Sequence, residues 1–115
     1  MQKVDTSISL AELEQMSQKM YQQLVKAVID LEKNIMVVDA EMHVDQEVFL
    51  LEEEGSEQDN LWGINLHPDL YGTDSFIEFD SMINMRPSRG NRTRGVDDLA
   101  VREKIKKMVI NMVKV

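Results

Sequence analysis

A chain of 115 residues supports one modest hydrophobic core rather than two, so a single α+β domain over residues 1–115 is the expectation. An apolar share of 43% beside 30% charged residues is that of a folded globule, and the absence of cysteine removes disulfide staples, thiolate zinc sites and thiol nucleophiles together. The net charge of −8 is unevenly laid down: residues 34–85 carry thirteen acidic side chains and no Lys or Arg, whereas residues 86–115 carry nine basic and three acidic ones. That asymmetry bears on association rather than on fold. It disfavours duplex DNA as a partner, because the central carboxylates repel the phosphate backbone.

The N-terminal MQKVDTSISL has neither an apolar leader core nor a cleavage pattern, which makes a cytoplasmic start the expectation. No apolar run approaches the about 20 residues of a membrane span, so no membrane partner is expected. Ser9 followed by Glu12 fits a capping box. Leu13, Met16, Met20 and Leu24 then recur at helical spacing, predicting a helix over about Leu10 to Gln23.

The period then switches to two in LVKAVIDLE, with Lys33-Asn34 as the turn and IMVVDAEM as the returning strand. Val, Phe and Leu between Glu47 and Glu53 predict a third strand. GSEQDN is a loop by composition, and Leu61 to Leu66 a short fourth strand bearing the sole tryptophan, Trp62. HPDLYGTDS reads as a loop, and Phe76 to Arg86 as the clearest strand, with Ile77, Phe79, Ser81, Ile83 and Met85 on one face and Pro87 ending it. Asp97 is a reasonable N-cap for a closing helix whose apolar face holds Val101, Ile105, Met108 and Met112, widened by Leu99, Val109 and Val113. Strands joined by short loops predict a mainly antiparallel sheet of about five strands. Both amphipathic helices cover one sheet face and the other face is left open to water.

Three sets of side chains could carry chemistry. In RPSRGNRTRG, four arginines fall within nine residues. Arg86, Arg89, Arg92 and Arg94, together with Asn91, could grip a carboxylate or phosphate beside the start of the last helix. The same guanidinium groups could instead answer the acidic centre within the chain. Glu78 and Asp80 share a strand face and, with His43, are candidates for acid/base work, while no spacing indicates a metal site or a cofactor. The methionines at helical spacing read as core filling, with a homodimer surface as the alternative.

LWGINLHPDLYG and IEFDSMINMRPSRGNRTRGVDD resemble a small uncharacterised prokaryotic family of stand-alone domains of unknown function. The resemblance extends from VKAVIDLEKNIMVVDAEMH to the last helix, and its most specific piece is DSMINMRPSRGNR, Asp80 to Arg92. It implies a stand-alone domain with that segment as signature, and brings no activity, substrate or catalytic residue. The residues therefore point first to a non-enzymatic module that recognises a small anionic ligand or a protein partner through residues 86–95. An assembly domain (a homodimer) joining acidic centre to basic end is the alternative, and a metal-dependent enzyme using the sheet-face carboxylates follows it.

Overall fold

The computed structural model describes residues 1–20 and 23–115. Its centre is a five-stranded antiparallel sheet in the order β1-β4-β3-β5-β6, formed by Gln2–Val4 (β1), Val25–Asp30 (β3), Ile35–Val38 (β4), Leu61–Leu66 (β5) and Ile77–Glu78 (β6). A small parallel pair joins Ile8–Ser9 (β2) to Val113–Lys114 (β7) and so ties the entry of the first helix to the exit of the last. The three short strands β1, β2 and β7 carry no alternation long enough to be read from sequence.

Helix α1 (Leu10–Gln18) starts where expected, with the Ser9 hydroxyl accepting the Glu12 N–H at 3.0 Å. It stops earlier than Gln23. Gln23 sits at φ 56°, which no helix accommodates, while Tyr21 and Gln22 lie outside the described residues. The β3–β4 turn forms as predicted: Asn34 takes φ 55°, and the Asp30 carboxylate accepts the N–H groups of Glu32 (2.9 Å) and Lys33 (3.0 Å). β4 ends at Val38 because Asp39 turns to φ 66°.

The predicted strand at Glu47–Glu53 is instead part of helix α2 (His43–Glu53). Its inward positions are His43, Gln46, Glu47 and Leu50, a helical spacing that hydrophobicity hides because three of the four are polar. Its N-cap, Met42, gives no side-chain cap bond, so the usual start signal is missing too. This helix corrects the expectation of an open sheet face. Leu50 packs on Val28, Ile35, Val37 and Leu61, whereas α1 and the closing helix α3 (Leu99–Met112) cover the opposite face over Ala27, Ile29, Met36, Ile64 and Leu66.

The predicted strand over Phe76 to Arg86 survives only as β6, paired at Asn65↔Glu78 and Leu66↔Ile77. Beyond it the chain folds into short 3-10 turns at Met82–Asn84 and Pro87–Arg89. The cap of α3 is Asp98, not Asp97: its Oδ1 accepts the N–H groups of Ala100 (2.8 Å) and Val101 (3.4 Å). Ile105, Val109 and Met112 are buried as expected, but Leu99 is 72% exposed and lies outside the core.

Candidate functional site

The arginine-rich segment is built onto the unpaired edge of β5 by side chains. Gly63 offers its peptide to that edge, and the Asn84 carboxamide meets it as a strand would. Asn84 Oδ1 accepts the Gly63 N–H (2.8 Å) while Nδ2 donates to Gly63 O and Arg94 O (both 2.9 Å). The approach is close enough that a Cβ on residue 63 would lie 2.6 Å from Ser81 Cβ, which is why glycine stands there. Asn91 repeats the device inside the loop, donating to the carbonyls of Asn84 (2.7 Å) and Gly95 (2.8 Å) and accepting the Asp97 N–H (2.8 Å). Arg86 and Asn91 close the turn between them through paired backbone bonds, with Gly90 at φ 89°.

Arg86 is half-buried and each of its three guanidinium nitrogens donates to a main-chain carbonyl. Nε donates to Ile83 O (3.2 Å), Nη1 to Gln58 O (2.9 Å) and Nη2 to Leu61 O, while the guanidinium lies 4.6 Å from the centroid of the Trp62 ring. Burial lowers its pKa, against the opposing fields of Glu47 and Asp59. Arg89 pairs with Asp59 (3.2 Å) and Arg94 with Asp80 (2.5 Å), both at the surface. Arg92 is exposed and makes no ion pair among the described residues. Asp97, freed from capping, accepts the Thr93 hydroxyl (2.5 Å) and the Arg92 N–H (2.7 Å), which hold its carboxyl below the usual range. Of the five residues expected to receive an anion, Arg86 and Asn91 serve the fold, Arg89 and Arg94 answer carboxylates, and Arg92 alone faces water unpaired.

Of the three candidate acid/base residues, Glu78 and Asp80 share a bonding partner, Asp80 through its backbone only, while its carboxylate meets Arg94. Buried Asn65 joins two of them, donating to Glu78 Oε1 (3.0 Å) and to the backbone oxygen of Asp80 (3.1 Å), and His67 reaches the same Glu78 oxygen at 3.1 Å. His43 stands on the same side of the sheet, with Nε2 at 2.7 Å from Ile64 O. Because a carbonyl only accepts, Nε2 carries the proton and Nδ1 is bare in the neutral ring. Burial holds its pKa below the ordinary value of about 6.5, aided by Lys26 and Arg94 and opposed by Ile64 and Asp80.

The unfolded chain therefore protonates before the folded one. Stability is full above that ordinary value and falls as pH drops through the folded pKa. Urea midpoints of the native protein are expected to fall between pH 7.5 and 5.5 by more than those of His43→Gln, and equal falls would refute the assignment.

A groove that sequence reasoning did not find runs between α3 and the ends of β3 and β5, with a volume of about 820 Å³. Leu31, Trp62, Val101, Met108 and Met112 form its floor, Lys104, Lys107 and Asn111 one rim, and Glu32, Asn34, Asp59 and Asn60 the other. Through Trp62 and Asp59 it continues into a recess of about 290 Å³ beside Arg86, Arg89 and Asn91. Glu32 already accepts the Asn60 amide (2.8 Å) and Asp59 is held by Arg89, whereas Lys104 and Lys107 have no acidic partner among the described residues. His43, Glu78 and Asp80 do not line it. The only sequence signal for it was the excess of lysine on α3, at positions that helical spacing sets beside the apolar stripe.

A five-stranded antiparallel sheet flanked by helices, with its fifth strand extended by side-chain amides, defines an α+β domain in which no helix of the described residues is long and apolar enough to cross a membrane. The chain belongs to the family described as "Protein of unknown function (DUF5674)", which matches residues 2–112. No curated protein and no solved structure matches it.

Proposed function

We propose that this protein is a non-enzymatic binding module whose groove beneath α3 takes an anionic ligand carrying an apolar part. The observation that carries this reading is an imbalance of used and unused charge. Asp59 is paired with Arg89 and Glu32 accepts only the neutral Asn60 amide, while Lys104 and Lys107 make no ion pair among the described residues and line the groove with Trp62, Met108 and Met112. An incoming carboxylate or phosphate would meet two ammonium groups, and its apolar portion would displace water from the methionines. The anion site thus moves from the arginine loop to α3, and the loop's role becomes that of holding Trp62 in place through Arg86.

Trp62 is the sole tryptophan, so its emission reports the groove directly. Hexyl phosphate is expected to change that emission saturably, with inorganic phosphate and hexanol each much weaker. The double change Lys104→Glu, Lys107→Glu should weaken hexyl phosphate at least about tenfold, the equivalent of about 1.4 kcal/mol. Unchanged affinity in that variant, or hexanol binding as well as hexyl phosphate, would contradict the proposal.

A further inference from the structure

We infer that the groove also receives helix α2 of a second copy of this chain, in a head-to-tail contact. The inference rests on the groove's apolar lining and on Lys104 and Lys107, which make no ion pair among the described residues, as in the reading above; its other half is a separate surface. On the outer side of α2, Val44 and Val48 are 41% and 42% exposed and lie one helical turn apart. Leu51 continues the strip half-buried, and the exposed carboxylates Asp45 and Glu52 border it. Neither carboxylate makes an ion pair among the described residues, although Glu54, which caps the C-terminal end of the helix, is held by Lys3 at 3.3 Å. One surface of the molecule is therefore an apolar strip edged with unused negative charge. Another is an apolar trough edged with unused positive charge at Lys104 and Lys107.

The two surfaces complement each other but cannot meet within one molecule, because α2 covers one face of the sheet and α3 the other. The same opposition excludes a closed two-fold pair, in which both contacts would have to form at once. The contact is heterologous, and growth continues beyond the dimer as concentration rises. A net charge of −8 on each copy opposes association at long range. At about 0.1 M salt that repulsion is screened beyond about 10 Å while the contact pairs survive, and at about 1 M salt the pairs are screened as well.

Sedimentation velocity tests this with two variants. Val44→Asp with Val48→Asp removes the strip and leaves the groove, while Lys104→Glu with Lys107→Glu removes the groove and leaves the strip. The native protein at about 0.1 M salt is expected to rise above the 13.3 kDa of one chain with increasing concentration and to return to it at about 1 M. Each variant alone stays at one chain. Mixed in equal amounts they form a pair of twice that mass and stop, since only one strip and one groove remain. Should the valine changes disturb the fold, Asp45→Lys with Glu52→Lys reverses the strip's charges alone; it should stay at one chain by itself and associate when mixed with the Lys104→Glu, Lys107→Glu variant, whose native strip meets its native groove. A native protein that stays monomeric at every concentration, or a mixture that does not pair, overturns the inference. Hexyl phosphate binding to the strip variant in either case leaves the groove reading standing, so the two fail separately.

Discussion

Asn84→Ala is expected to cost about 3 kcal/mol of unfolding free energy, a large share of what a domain of this size possesses. The side chain is fully buried and makes three bonds to main-chain groups, two to Gly63 and one to Arg94. Alanine removes the partner and leaves the N–H and carbonyl of Gly63 without it, each at about 1–3 kcal/mol less whatever water recovers, while Arg94 O keeps the Ser81 N–H at 2.9 Å. Asn84→Asp keeps an acceptor for the Gly63 N–H but sets a carboxylate against two carbonyl oxygens, and should be no better than alanine at neutral pH. Urea denaturation decides the matter. A loss under about 1 kcal/mol for Asn84→Ala would mean that the loop is not fastened through this amide.

The second large effect is expected at Arg86. Arg86→Ala should lose about 2–3 kcal/mol, because the carbonyls of Gln58, Leu61 and Ile83 share one guanidinium and its removal takes a donor from each, with Gln58 O keeping the Leu61 N–H. Arg86→Lys should recover less than half of the loss. An ammonium is a point donor on a flexible stem, unable to span three carbonyls while lying flat on an indole. Both variants uncover the Trp62 face and should shift its emission to the red in the folded state. Full recovery by lysine would show that charge alone, and not the planar fork, is what this position requires.

The parts of the fold legible in the sequence were those in which hydrophobicity and geometry agree. β5 shows its alternation through Trp62, Ile64 and Leu66, the β3–β4 turn carries an asparagine where φ is positive, and the Ser9 cap announces α1. Helix α2 was misread because the residues it turns inward are His43, Gln46 and Glu47, and burial of polar groups leaves no periodic trace. The run after Phe79 alternates as a strand should, yet it is not paired as one. Asn84 does in side-chain form what a continued strand would do with peptides, and a lone Asn in a sequence gives no sign of whether its amide faces water or a backbone.

The arginine segment was legible as chemistry but not as destination. Its question was whether the guanidinium groups turn inward to the chain or outward to solvent. Arg86 turns inward, Arg89 and Arg94 meet Asp59 and Asp80, and Arg92 has no ion pair among the described residues. Partner choice of this kind is fixed by contacts between residues distant in sequence, 14 apart for Arg94 with Asp80 and 25 and 28 for Arg86 with Leu61 and Gln58, which local patterns do not encode. The groove was invisible for a related reason: its floor comes from β3, β5 and α3 together.

The Gly63 amide measures the central feature of the fold directly, since its N–H ends on Asn84 Oδ1 rather than on a neighbouring strand. Native-state hydrogen exchange should find this amide opening only with global unfolding, as slowly as the buried amides that β5 shares with β3, and should find the protection lost in Asn84→Ala. Exchange of Gly63 at the rate of a frayed edge would mean that residues 80–97 lie loosely against the sheet, and the arginine clasp together with the groove it shapes would have to be abandoned.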